Sequence, residues 1–440
     1  MIKRVLSVTM LLVLGGVLLF ATGSGEQTAE STAPKTLRFL HFEHSPETQQ
    51  LFEKQAREFE KSHPYVTVEI EYGTSDEYFT KLAAEIKGGN PPDVAQTMQE
   101  HLLALAATDN LRVLDKLLDK VGRTRFSSLA SVGYRGKSYG VPTQSVTWAL
   151  WVRQDRLDQE GLSAPVKWSD MLVAASKLTV DQNGDGNPEY YGLSLPYSTI
   201  SQTTEYFVAH LWLNDWYLFD EKLQSALAAP RAIEAMEYYR KLKQYTPPSM
   251  ATVNYAELGQ SYGTGLSSMV FYPGRITEHI ERNKPEIGNV TRAVAPPYNR
   301  AKATWIWPKM YVIPKSAKNP ELAEEYVNFL MKTENIAALS NTVPVHSIPP
   351  VKDVLEDSGF LANAMNAKYK EAVKVEMGLL QFAKNPSQEH SGVVNPYYGA
   401  FVGTNILTNA VQKVMVEDVE PRVALETAAS QMNEFLAKAK

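Results

Sequence analysis

Between Leu37 and Tyr72 the chain reads as strand, helix, strand, and that order restricts the architectures open to it. Leu37 to Phe42 is a nearly continuous apolar run, as expected of a strand buried on both faces. Ser45-Pro46-Glu47 then supplies an N-cap, a first-turn proline and a first-turn acid. Leu51, Phe52, Ala56 and Phe59 follow at helical spacing, and the helix stops at His63-Pro64. Val66, Val68, Ile70 and Tyr72 alternate with Thr67, Glu69 and Glu71, the period of a strand. The handedness rule for such a βαβ unit favours a parallel sheet. The spacing predicts a second helix around Asp76 to Ile86, and Pro91-Pro92-Asp93-Val94-Ala95 as a turn feeding another strand.

The pattern returns further along. Gly140-Val141-Pro142 precedes an apolar and aromatic run from Val146 to Val152, and Trp168-Ser169-Asp170 opens a helix through Leu178. Further helices read at Ser201 to Trp212, Arg231 to Leu242 and Asn319-Pro320 to Met331. Tyr398 to Phe435 reads as helical with a break at Glu420-Pro421. A chain of 440 residues, 44 % apolar, exceeds what one core usually supports. Two α/β lobes are expected.

The N-terminus sets the compartment. Lys3 and Arg4, the apolar run Val5 to Phe20 and the small residues Ala21-Thr22-Gly23 are the marks of an export signal over residues 1–23. Residues 24–35 are small and polar and read as a flexible tether, with order beginning at Thr36. There are no cysteines, so stability must come from packed cores and no lipid-anchor thiol follows the apolar run. The expectation is a periplasmic protein. Formal charge is -5, and loss of Lys3 and Arg4 with the signal makes it -7. That argues against nucleic acid or an anionic membrane as partner.

Gly136-Lys137-Ser138-Tyr139-Gly140-Val141-Pro142, Trp148 to Leu157, Gly161-Leu162, Pro165 and Trp168-Ser169-Asp170 form an ordered set. Gly263-Thr264-Gly265-Leu266-Ser267-Ser268-Met269 with Pro273-Gly274, and Ile313-Pro314-Lys315-Ser316-Ala317-Lys318-Asn319-Pro320-Glu321-Leu322-Ala323, continue it. Together they resemble family 1 extracellular solute-binding proteins, the sugar-capturing subunits of ABC importers, over residues 36 to 438. The resemblance implies a two-lobed periplasmic-binding-protein fold of the class II type. Each lobe would be a mostly parallel sheet flanked by helices, with three hinge crossings between them. Carried onto this chain, lobe one is 36–146 plus 309–345 and lobe two is 147–308 plus 346–440. It further implies a monomer that holds a carbohydrate between its lobes, delivers it to permease subunits, uses no cofactor and catalyses nothing.

Sugar rings present apolar C–H faces and polar edges, so aromatic side chains with amides, acids and arginine are the expected partners. Trp305 and Trp307 flank the expected second hinge, Tyr197 stands where the family places a ring-stacking tyrosine, and Tyr398 lies in a late cleft loop. Tyr272 precedes the Pro273-Gly274 turn of the cleft-lining segment. Each of these is equally readable as core. Trp212 and Trp216 belong to an apolar helix and read as packing. Glu43, Glu100, Gln144 and Thr147 follow strands, with capped or solvated loop positions as the alternative. Arg275 stands where the family often has an aromatic, and a guanidinium there would bind hydroxyls or an anionic substituent.

Asp181, Asn183, Asp185 and Glu189 occupy positions 1, 3, 5 and 9 of a calcium-loop pattern, but position 12 is Gly192. Asn-Gly-Asp-Gly is equally a turn signature. Any calcium there would be structural. No GxSxG, HExxH or phosphate-binding loop occurs. The alternatives to a sugar-binding protein are a binder of glycerol phosphate or another anionic solute, suggested by Arg275, an exported glycoside hydrolase using Glu43 or Glu100, and a chemosensory presenter.

Overall fold

The structure, a computed structural model, describes residues 33–42, 45–73, 75–390 and 393–439. The expected signal, residues 24–32 of the expected tether, and Glu43 lie outside the described residues. Among the described residues no helix is long and apolar enough to cross a membrane.

The first sheet starts from β1 (Lys35–His41), which pairs in parallel with β2 (Val66–Tyr72) on one side and β3 (Val94–Met98) on the other. The helix Pro46–Ser62 crosses from β1 to β2. Ser45 caps it by accepting from the Thr48 amide at 3.2 Å, and Phe52, Ala56 and Phe59 are its buried stripe. Phe39 is the centre of this core, edge-to-face with Phe52 at 5.4 Å and Tyr311 at 5.5 Å. A small hairpin, β4 (Gly133–Tyr134) and β5 (Lys137–Ser138), leads into β6 (Val141–Thr147).

The apolar run expected at Val146 to Val152 is two strands, since the chain breaks at Trp148 and continues as β7 (Ala149–Arg153). β7 belongs to a second sheet, where it lies antiparallel to both β8 (Met269–Tyr272) and β9 (Thr291–Val294). The expectation of a mostly parallel sheet in each lobe therefore needs correction for the second. β8 and β9 run parallel to each other, joined through the helices Ile276–Asn283 and Pro285–Val290. The strand arriving from the first lobe is wedged between them and so runs the other way.

β10 (Thr304–Val312) returns to the first sheet, antiparallel to β3 and β6 and between them, and β11 (Ala383–Lys384) pairs with its first two residues. The lobe boundaries expected at 146/147 and 308/309 fall inside the β6–β10 ribbon. Thr304 Oγ1 donates to the Trp148 carbonyl at 2.6 Å, tying the two strand ends together. A further connection passes at Ile348, which exchanges two backbone hydrogen bonds with Ser145 at 3.0 and 2.9 Å. Beside it Gly274 packs so closely that a Cβ would stand 2.3 Å from the Val345 carbonyl oxygen.

The C-terminal helical region breaks twice, giving Tyr398–Val402, Ile406–Met415 and Pro421–Ala439. The additional break is at Asn405, whose φ of 56° lies in the left-handed region that asparagine tolerates. The segment before Tyr398 is pinned by Glu389, which accepts from the Trp212 indole at 2.6 Å and from the Leu218 and Phe219 amides at 3.0 and 2.9 Å.

Gly274→Ala should lower stability by about 1–3 kcal/mol, since the new methyl forces backbone apart. Gly399→Ala, where a Cβ meets nothing within 4 Å, is the control in the same urea titration. Equal midpoints for the two variants would refute the close contact. Glu389 supplies a pH test. Burial pushes its carboxyl from 4.5 up to about 7, against the lowering by its three donors. A folded value above the unfolded one means a stability contribution present below pH 4.5 and lost as pH rises through 7. The melting temperature of the native protein should fall relative to that of Glu389→Gln across that window. Parallel curves would count against it.

Candidate functional site

The β6–β10 ribbon sorts side chains to two faces. Opposed residues of an antiparallel pair share a face, and successive residues alternate. Trp307 is opposite Val146, and Ile306 is opposite Thr147. Trp305 and Trp307 therefore project from one face, and Ile306, Thr147 and Ser145 from the other.

On the tryptophan face Trp148 is the hub. Its ring lies 4.4 Å from Tyr206, 5.7 Å from Trp307 and 6.1 Å from Trp305. Trp305 extends the cluster to Trp212 at 5.3 Å and Tyr398 at 6.3 Å. A small crevice lies among Trp148, Tyr206, His210, Phe271, Thr304 and Trp305. On the opposite face runs a groove in which Gln99, Ser128, Ser131, Ser145, Asn385 and Gln388 stand beside the apolar Pro142, Ile306, Pro350 and Leu380. Gln99 Nε2 donates to Gln388 Oε1 across it at 3.2 Å.

Several buried polar atoms at this junction have no hydrogen-bond partner among the described residues: Trp148 Nε1, Trp305 Nε1, Thr147 Oγ1, Tyr206 OH and Glu205 Oε2. An unpaired buried donor or acceptor costs about 1–3 kcal/mol, so a polar molecule reaching these atoms would be stabilised by them. Burial holds the Glu205 carboxyl well above the usual carboxylate range, and it raises Glu100 as well. Burial raises the Tyr398 phenol, with smaller contributions in the same sense from Glu205, Glu389 and Glu100.

The expected residues divide accordingly. Trp305 and Tyr398 are in the cluster and buried, Trp307 is in it and half-buried, and Glu100 stands in the first turn of the helix Gln99–Ala107. Gln144 is buried and donates its Nε2 to Ser347 Oγ, leaving Oε1 unpartnered. Thr147 is on the opposite face from the tryptophans. Tyr272 is fully buried, stacked on Tyr255 at 4.7 Å, with its hydroxyl donating to the Tyr255 carbonyl at 3.0 Å. Arg275 is half-exposed beside that pair and 3.8 Å from Glu278. Tyr197 stands apart, its amide bonded to the Met250 carbonyl and its hydroxyl to that of Pro248. Trp212 and Trp216 are packed, with indoles donating to Glu389 and to the Ala226 carbonyl.

Sequence reasoning singled out neither Trp148 and Tyr206, which lie in the cluster, nor the buried acid Glu205. A signal existed for Glu205: it is an acid in the helix Ser201–Leu213, which is buried almost all round. The exposed Asp181 to Glu189 loop spends its oxygens on its own backbone, Asp181 accepting from Gly184 and Gly186, and Glu189 from Gln182. Among the described residues no group of three or more metal-ligating side chains converges.

Comparisons bear on this geometry. Residues 43–337 match the family described as bacterial extracellular solute-binding protein. YcjN of Escherichia coli (strain K12), named a putative ABC transporter periplasmic-binding protein, is 23 % identical over 421 residues, covering 92 % of this chain and 94 % of its own. A putative binding protein of Brucella abortus (strain 2308) is 22 % identical over 431 residues, with 97 % and 98 % covered. Among solved structures, the sugar-binding protein MalE from Xanthomonas citri superposes with a TM-score of 0.74 at 17 % identity, over 92 % of this chain and 98 % of that one. A solute-binding protein from Thermotoga lettingae, bound with alpha-D-tagatose, gives 0.64 at 20 % identity, over 91 % and 100 %. The two-lobed architecture is thus the fold of MalE-type binding proteins, and with two thirds of its length matched the chain belongs to the bacterial extracellular solute-binding protein family.

Proposed function

We propose that this protein captures a carbohydrate between its lobes outside the cytoplasm, as a monomer, and delivers it to the permease of an ABC importer without transforming it. The observation that carries the reading is the indole and phenol wall of Trp148, Trp305, Trp307 and Tyr398, interleaved with unpartnered polar atoms. Flat apolar faces suit C–H faces of a sugar, and orphaned donors and acceptors suit its hydroxyls. Structural neighbours are described as bound to alpha-D-tagatose, cycloalternan and maltose, which supports the same class. An anionic solute at Arg275 is the weaker reading. That guanidinium already leans on Glu278 at 3.8 Å.

Thermal melting against mono- and oligosaccharides tests this directly. Ligand at a hundred times its Kd adds about 2.7 kcal/mol to the native state, so a cognate sugar should raise Tm clearly while glycerol phosphate does not. Trp307→Ala should weaken that sugar about tenfold, the equivalent of ~1.4 kcal/mol, by titration calorimetry. Native indole fluorescence should change with the same midpoint. A carbohydrate panel without a shift, or turnover of a chromogenic glycoside, would reject the reading.

A further inference from the structure

Of the non-glycine residues with a positive φ among the described residues, Val345 alone is both β-branched and buried, with φ 65° and 1 % exposure. The left-handed region crowds a Cβ, and a branched one more so, so such a residue persists only where its surroundings impose it. They do so here from three sides. The Val345 amide donates to Asn366 Oδ1 at 2.8 Å, and Asn366 Nδ2 donates in turn to Asn341 Oδ1 at 2.7 Å. The Ser347 amide closes the turn onto the Val343 carbonyl at 2.9 Å. The Val345–His346 peptide abuts Gly274, where a Cβ would stand 2.3 Å from the Val345 oxygen and 2.9 Å from the His346 nitrogen.

These contacts join the two lobes. Val345 follows the helix Thr333–Ser340, and Gln55 of the first lobe ties that helix down by donating to the Asn335 carbonyl at 3.3 Å. Gly274 lies in the turn from β8 to the helix Ile276–Asn283 of the second lobe. Just past Asn366, Lys368 Nζ and the Tyr369 hydroxyl both donate to Glu281 Oε1 of that helix at 2.6 Å. The clamp on Val345 thus stands where the chain passes from one lobe to the other.

Strain of this kind lasts only as long as the contacts that impose it. Parting the lobes would take Gly274 off the Val345 carbonyl and free that peptide to turn to an ordinary φ. We propose that Val345 is a strained pivot: its left-handed turn belongs to the arrangement in which Gly274 meets it, and the strain biases the ligand-free protein towards separated lobes. Gly274 supplies the other half of the device, since only a residue without a Cβ lets the two backbones meet. A solute offsets the bias by touching both lobes, so the fraction of chains already closed sets its apparent affinity.

The protein has no cysteine, so spin labels on Lys87→Cys in the first lobe and Lys177→Cys in the second report the interlobe distance. Val345→Gly and Val345→Ala both remove the branched side chain, but only the glycine is at ease at that φ. Without ligand, the glycine variant should move the distance distribution towards the separation of the present structure, relative to the alanine variant. With the sugar found by thermal melting, it should bind ~10-fold tighter than the alanine variant. Gly274→Ala should move the distances the opposite way. Identical distributions for the two Val345 variants, or a Gly274→Ala distribution unchanged from the native one, would overturn the pivot. If the Val345 variants do not fold, the Gly274→Ala distances decide alone. These distances need no ligand, so a chain that binds no sugar would refute carbohydrate capture while the pivot stands or falls separately.

Discussion

The register between β6 and β10 is the constraint on which the binding side of this molecule depends. The ladder runs from Ile306 opposite Thr147 to Tyr311 opposite Val141, with one shift between Lys309 and Met310. Side chains alternate along each strand, so a slip of one residue would exchange the two faces. Trp305 and Trp307 would enter the groove, and Ile306 and Thr147 would enter the aromatic wall. Two prolines fit this ladder without breaking it. Pro308 lies just before β3 begins to pair at Lys309, and Pro142 lies opposite Met310, where the register already shifts. A strand proline is tolerated where no ladder donor is required of it.

Because the same ribbon joins both sheets, the aromatic cluster is assembled from elements distant in sequence. Trp148 comes from the break between β6 and β7, Tyr206 from the helix Ser201–Leu213, Trp305 from β10 and Tyr398 from the C-terminal region. Ring pairs at these separations contribute about 0.5–1.5 kcal/mol each beyond their buried area. Glu389 anchors the last of these pieces through three donors, two of them backbone amides that would otherwise be buried unpaired. The carboxyl therefore ties its own segment to the end of the helix Ser201–Leu213 and the turn after it.

Much of the architecture was legible because it is periodic. The alternation at Val66 to Tyr72 and the spacing of Phe52, Ala56 and Phe59 locate β2 and its helix to within a residue. The second sheet was less so, because strand direction is set by where β7 enters, and that is a tertiary fact with no trace in the pattern of Ala149 to Arg153. Trp305, Trp307 and Tyr398, singled out by chemistry and position, share one aromatic cluster. Tyr197 shows the limit of that reasoning, since a tyrosine in the expected motif gives its hydroxyl to Pro248. Thr147 shows another: proximity in sequence to Val146 and Trp148 put it on the opposite face. Glu205 was hidden for the reverse reason. Its helix is apolar around it, and an acid in such a helix reads as an edge position until its burial is known.

That burial also bears on how the proposed capture would be switched. A buried carboxyl whose Oε2 has no hydrogen-bond partner among the described residues raises the free energy of that arrangement relative to one in which water reaches it. The aromatic faces work in the opposite sense, since parting the lobes would wet indole and phenol surface. The two terms nearly oppose each other at one place, so the equilibrium between arrangements is poised and small differential contacts decide it. A solute that covers the rings and also supplies donors to Glu205, Tyr206 and the indoles' neighbours removes the unfavourable term and keeps the favourable one. A solute lacking such donors would keep the carboxyl's cost, and would shift the population less for the same apolar contact.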